Sequence, residues 1–368
     1  MKNKNKKVDR VLLSIILILT VFGLMMVFSA GVFYATTRFG DSNYFLKHQF
    51  LFGFLPGMFV MYFLSKVDYH FWKKVSVPMF VVSLICLILV FIPGIGSNAY
   101  GASRWINLGP VSFQPSEMAK LAIILYLAAW LESRGKEKIK DIYEGMIPFV
   151  GILAVAGFLI IKQPDTGTLG VIILIAMSMF FVSGANLTHI FSMFLAGVGG
   201  LIGLIAMAPY RMNRFLVFLN PEHDPQGVGY QINQALLAIG SGGIFGLGLG
   251  HSRQKFNYLP EPVGDSIFAI ISEELGLIGA SIVVLLFIFF ALRAIKIAKN
   301  APDDFGKMVA IGIVAWVIFQ AFVNIAAITA IMPLTGIPLP FISYGGTSFI
   351  FLMAAMGILL NISKQSKM

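Results

Sequence analysis

The amino-acid sequence predicts an all-α, polytopic membrane protein of about ten transmembrane helices, and three observations carry that expectation. Of its 368 residues, 58% are hydrophobic and only 12% are charged, too few charges to coat a water-exposed surface. The apolar residues fall in runs of about 20, the length a helix needs to cross a hydrocarbon core of ~30 Å. No hydrophilic stretch between the runs is long enough to fold alone, so residues 1–368 read as a single transmembrane domain.

Spans are expected near 11–33, 49–65, 75–95, 114–131, 146–162, 168–185, 190–208, 266–292, 308–332 and 347–362. The first follows the basic stretch MKNKNKKVDR and is too long for a signal-peptide core, so it reads as a retained signal-anchor. Basic residues in short loops mark the cytoplasmic side. They cluster in the N-terminal tail, at Lys66, Lys73 and Lys74, at Arg134, Lys136, Lys138 and Lys140, at Arg293, Lys296, Lys299 and Lys307, and at Lys364 and Lys367. This pattern predicts a cytoplasmic N-terminus (1–10) and C-terminus (363–368). The 186–189 turn carries no Lys or Arg, which leaves spans five to seven the least marked. A formal charge of +10 suggests nucleic acid, but the basic residues are scattered and lack interleaved aromatics, so topology accounts for them and no nucleic-acid partner is expected. Cys86 is the sole cysteine and reads as structural filler, without a disulfide or Cys-based metal site. The five histidines show no metal-ligand spacing.

Three segments interrupt the apolar pattern on the predicted outer side. Residues 96–113 are rich in Gly, Ser and Asn and hold Arg104 and Trp105. Residues 209–265 form an outer loop too long to be structureless, so it is functional or partly folded. Its Gly-rich apolar middle, GYQINQALLAIGSGGIFGLGLG, suits a re-entrant or interfacial element facing a cavity. The third, PLTGIPLPFISYGGTS, lies between spans nine and ten.

Few residues here can do chemistry. Asp265 stands where the long loop enters span eight, so its side chain can be both held by a helix and exposed to a lipid headgroup, as a general base requires. The same position also suits an N-cap, and spacing alone leaves both roles open. Glu117, Lys120, Glu273 and Glu274 fall inside spans, where each charge calls for a partner or a function. Glu117 and Lys120 are three apart on one helix and form a structural ion pair on that spacing, with contact between Lys120 and a phosphate as the alternative. Arg104, Arg211, Arg214, Arg253 and Lys255 lie on the predicted outer side and could bind a diphosphate or anionic lipid headgroups.

Several long strings occur in an order that resembles the SEDS family (shape, elongation, division and sporulation), in its FtsW/SpoVE branch. They are SRWINLGPVSFQPSEMAKLA (103–122), QPDTGT (163–168), APYRMNRFLVFLNPEHDPQGVGYQINQ (208–234), GLGLGHSRQKFNYLPEP (246–262), DSIFAIISEELG (265–276) and LTGIPLPFISYGGTS (334–348). The resemblance implies a ten-helix glycosyltransferase that polymerises lipid II with inversion, using an undecaprenyl-diphosphate-linked glycan as donor. It also implies a class B penicillin-binding transpeptidase and other division or sporulation membrane proteins as partners, and a bacterial cytoplasmic membrane location at the division septum. On the same footing Asp265 is the essential aspartate, Arg104 and Trp105 the family's Arg-Trp pair, and Glu117 and Lys120 its salt bridge. A divalent cation, Mg²⁺ or Mn²⁺, is implied with unknown ligands, and no organic cofactor is expected. One departure stands out: where the family usually reads Thr-Asp-Phe, this chain reads Gly264-Asp265-Ser266, moving a hydroxyl from before the aspartate to after it. The rival readings are a lipid II flippase and a non-catalytic scaffold for the transpeptidase.

Overall fold

The computed structural model describes residues 7–99, 102–109, 111–256 and 258–366; the outer parts of the predicted tails, 1–6 and 367–368, lie outside them. Asp9 starts the first span by accepting the Leu12 N–H at 2.8 Å, and Gly40, at φ 69°, ends it in the left-handed conformation that glycine adopts without strain. Helix α1 is Arg10–Phe39. The second span is a composite of α2 (Tyr44–Gln49), a π-helical turn at Phe50–Phe54 and α3 (Leu55–Leu64), followed by α4 (His70–Leu89). After α5 (Pro115–Lys140) and a π turn at Ile142–Met146 come α6 (Ile147–Lys162), α7 (Thr166–Val182) and α8 (Leu187–Ala206). The bundle closes with α11 (Ile267–Lys299), α12 (Asp304–Ile328) and α13 (Gly346–Gln365), reached through α9 (Pro209–Leu219) and α10 (Val228–Ser241).

Seven of these helices are individually long and apolar enough to cross a membrane. The other three predicted runs are also helical: the second is interrupted by its π turn, α5 carries Glu117 and Lys120, and α7 has only 17 residues. The second run begins earlier than its pattern suggests, and the third ends at Leu89, short of the predicted 95.

The helical bundle carries one small sheet in its outer segment. Residues 96–113 fold into three antiparallel strands, β1 (Gly96–Ala99), β2 (Ala102–Leu108) and β3 (Val111–Phe113), in that order. Pairs such as Ser97 with Trp105 and Ile106 with Phe113 satisfy the backbone of a segment that has no helical pattern.

Polar contacts sort the loops onto two ends of the bundle. Asp9 pairs with Arg293 (2.9 Å) and its N–H meets Ser363 Oγ (3.2 Å), Tyr69 N–H donates to Asn361 (3.0 Å), and Lys73 pairs with Glu132 (2.6 Å). Both described chain ends and the Lys/Arg-rich loops therefore share one end. The sheet, the 209–265 segment and the 330–345 loop lie at the other.

Inside the bundle, Lys120 Nζ lies 2.9 Å from Glu117 Oε1, 2.6 Å from Gln320 Oε1 and 4.9 Å from the Trp316 ring centroid. Ser348 Oγ donates to the other Glu117 oxygen at 3.0 Å. With both side chains at most 2% exposed, removing one partner strands the other. Glu117→Ala should thus cost about 3–5 kcal/mol, and the double change Glu117→Met with Lys120→Met should cost less. Thermal unfolding of the three purified proteins checks the order.

Candidate active site

Asp265 ends the long segment two residues before α11 begins. The N-cap position of α11 is Ser266, and no side chain makes a cap bond there, so the cap alternative for Asp265 is not realised. Its carboxylate is held on one side only: Gln231 Nε2, from α10, lies 3.4 Å from Oδ1 and 3.1 Å from Ser266 Oγ, which is itself 3.5 Å from Oδ1. The displaced hydroxyl of this chain therefore still neighbours the aspartate, from the following residue. The main chain is fastened by Asn324 Nδ2 to Asp265 O (2.8 Å), by Ser343 Oγ to Gly264 O (2.7 Å) and by Tyr344 N to Val263 O (2.8 Å). Oδ2 looks toward Gly336, whose φ of 72° suits glycine. A methyl group added there would lie 3.8 Å from Oδ2 and touch nothing else beyond its chain neighbours. No hydrogen bond to Oδ2 is among the described contacts, and Asp265 is half-buried.

Burial, then the Glu261 charge, push Asp265 up to about 6, while Arg214, its own N–H and Gln231 pull the other way. Arg214, on α9, donates to Leu334 O (3.1 Å) and feels Arg104, Asp265, Tyr210 and Asp165; burial and the Arg104 charge hold it below its usual value. Arg104, on β2, donates from Nε to Gln163 O (3.1 Å) and from Nη2 to Pro164 O. Asp165 caps α7 through Thr168 N at 3.2 Å. Strings far apart in sequence thus bring Arg104, Arg214 and Asp265 into one electrostatic neighbourhood.

The remaining candidates fall elsewhere. Trp105 is half-buried in the sheet. Arg211 donates to Leu204 O (3.1 Å) and Tyr210 OH (2.7 Å), and the Arg253 side chain is exposed. Lys120 is enclosed by Glu117, Gln320 and Trp316, which leaves its ammonium no route to a diphosphate. Lys255 also departs from its expected role as an outer ligand. It is 5% exposed and pairs with Glu274 (3.0 Å), Gly250 O (2.7 Å) and Ser29 (3.4 Å), because a charge at that depth must be neutralised.

That pairing depends on a break in α11. Gly276, at φ 66° and ψ −168°, interrupts the helix and frees backbone groups on either side. Leu247 N and Gly248 N donate to the carbonyls of Glu273 (2.9 Å) and Glu274 (3.0 Å), while Leu277 N and Ile278 N donate to Gly243 O (2.9 Å) and Ile244 O (3.2 Å). The Glu273 carboxylate accepts from Ser252 Oγ and from Arg253 N (2.9 Å). The Gly-rich segment packs into the break of α11 through these backbone hydrogen bonds. Gln231 and Asn324 escaped the sequence reading. The available signal for Asn324 was an amide inside a 25-residue apolar helix.

Ten apolar helical runs, with a half-buried carboxylate near two arginines at one end of the bundle, define a multi-pass membrane protein. The chain belongs to the FtsW/RodA/SpoVE family of cell cycle proteins, which it matches over residues 9–368. It is 45% identical to stage V sporulation protein E of Bacillus subtilis (strain 168) over 100% of both chains. It is 42% identical to the probable peptidoglycan glycosyltransferase FtsW of Geobacter sp. (strain M18), over 98% of this chain and 97% of that one. Among solved structures it resembles a chain of a peptidoglycan synthase complex that coordinates polymerization and crosslinking (TM-score 0.79, 25% identity, 97% of each chain). It also resembles the rod shape determining protein RodA of Thermus thermophilus (TM-score 0.71, 25% identity, 98% of each chain).

The raised Asp265 gives a stability prediction. Between about pH 4 and 6 the folded chain holds this proton and the unfolded chain releases it, so stability falls as pH rises through that window. Asp265→Asn should remove this slope and be at least as stable as wild type at neutral pH. Unfolding temperatures of both proteins across the window check it.

Proposed function

We propose that this chain is a peptidoglycan glycosyltransferase that polymerises lipid II on the outer face of the bacterial cytoplasmic membrane, in cell division or sporulation. The observation that carries the reading is Asp265, held through Oδ1 with no partner to Oδ2 among the described contacts, with Arg214 and Arg104 beside it. The names of the FtsW and SpoVE relatives support it. Sidedness follows the positive-inside rule: the Lys/Arg-rich end with both termini lies in the cytoplasm, which sets Asp265 outside.

In this mechanism Asp265 takes the proton of the 4-hydroxyl on the GlcNAc of one lipid II. That oxygen bonds to the anomeric carbon of the undecaprenyl-diphosphate-linked glycan from the face opposite the leaving group, so configuration inverts and undecaprenyl diphosphate departs. A carboxylate near pKa 6 is ionised at neutral pH yet basic enough to share the proton. A diphosphate is a weak base and leaves without an acid, provided cations offset its charge; Arg214 and Arg104 supply them. A divalent cation, Mg²⁺ or Mn²⁺, belongs to this reading only as an ion carried on the diphosphate. Among the described residues no three His, Cys, Asp or Glu side chains are grouped to hold one. A class B penicillin-binding transpeptidase at the septum is the proposed partner, in line with the synthase complex among the structural relatives.

Purified protein should convert lipid II to glycan strands, and Asp265→Asn should lose about 10²-fold or more of that rate while remaining folded. Movement of lipid II between leaflets without glycan product would instead make the chain a flippase. For sidedness, a cysteine at the exposed His251 with Cys86→Ser should react with a membrane-impermeant maleimide on cells whose outer surface is reachable. Labelling only after the membrane is opened would reverse the topology.

A further inference from the structure

An amide in an apolar helix is costly unless its groups are hydrogen-bonded, and α12 buries two of them one turn apart, Gln320 and Asn324, at 2% and 1% exposure. Gln320 Oε1 accepts from Lys120 Nζ (2.6 Å) and Trp316 Nε1 (2.7 Å), which turns its Nε2 toward Pro338 O at 3.0 Å. Asn324 takes the preceding carbonyl: its Nδ2 donates to Ile337 O at 2.7 Å and to Asp265 O at 2.8 Å. The opposite amide orientation would set Oδ1 against two carbonyl oxygens, so the carbonyls fix which way it points. The consequence is that Oδ1 is buried without a partner, an unfavourable arrangement. Asn324 gives up that acceptor to place both its hydrogens on two separate segments.

Those segments are the two walls of the site. Asp265 lies on one; Gly336, next to Ile337, faces its Oδ2 from the other, and Leu334 on the same loop anchors Arg214. We propose that Asn324 is a positioning residue for glycan transfer: by clamping the Asp265 carbonyl to the Ile337 carbonyl it sets the width of the slot that the acceptor hydroxyl enters. Gln320, oriented by the Glu117–Lys120 pair, holds the same loop one residue further along. The inference rests on Asp265 as the base. It adds that the base works only at a separation fixed by a side chain that touches neither substrate nor carboxylate.

The test uses purified full-length protein with lipid II, comparing wild type, Asp265→Asn, Asn324→Leu and Asn324→Asp. Leucine keeps the branched outline of asparagine, though bulkier, without its donors; aspartate keeps its shape and turns acceptors toward the carbonyls. Both should lower kcat, by about 10²-fold for a misplacement on the order of 1 Å, with KM changed by no more than a few-fold and with aspartate the worse of the two. If Asn324→Asp does not fold, Asn324→Leu carries the test. Wild-type kcat in folded Asn324→Leu, or a loss confined to KM, would overturn the proposal. A wild type without glycan product, or an Asp265→Asn variant with full rate, would overturn the base assignment instead.

Discussion

A helix broken inside a bilayer exposes backbone groups that lipid cannot satisfy, and at Gly276 this chain answers the break with its own Gly-rich segment. The rest of the site depends on that exchange. The carbonyls of Glu273 and Glu274 accept the N–H groups of Leu247 and Gly248, and below the break the donors and acceptors reverse roles. Close approach is possible because the contacts are glycines: a side chain on Gly246 would meet the Glu274 carbonyl at 2.2 Å, and one on Gly242 the Ser272 carbonyl at 2.0 Å. The long segment is thereby joined to the upper half of α11, which fixes where Asp265 stands.

The charges follow the same rule. Glu274 is neutralised by Lys255 and hydrogen-bonded by Ser29, Glu273 is surrounded by donors from 252–254, and Glu117 is paired with Lys120. These buried carboxylates are fully engaged, whereas Asp265 Oδ2 has no hydrogen-bond partner among the described contacts. Under the proposed function, that contrast separates the structural acids from the base in a chain where both sit near the same helix. It also explains why the cations divide: Lys120 and Lys255 are consumed by the fold, while Arg104 and Arg214 are held through backbone carbonyls, leaving their positive charge uncancelled by a direct ion pair among the described contacts. Arginine can do this because its planar fork offers more donors than one carbonyl uses.

How much of this was legible depended on whether the interaction was local. Runs of about 20 apolar residues announce helices whatever their neighbours, and Glu117 with Lys120 could be paired from a spacing of three on one helix. Asp265 stood out because it sits where a loop meets a span. Lys255 with Glu274 could not be read, since the pair forms only after Gly276 breaks α11 and the loop folds back against it. The sheet at 96–113 was missed because strands of four, seven and three residues give little of the alternation that marks longer ones. Asn324 and Gln231 were invisible as site residues for a related reason: their partners lie 59 and 34 positions away.

To act as the base, the Asp265 carboxylate must be ionised. The pH dependence of lipid II polymerisation by the purified protein tests it most directly. The initial rate should rise tenfold per pH unit at acid pH and level off above about 6. A rate that stays flat through that window would contradict the assignment.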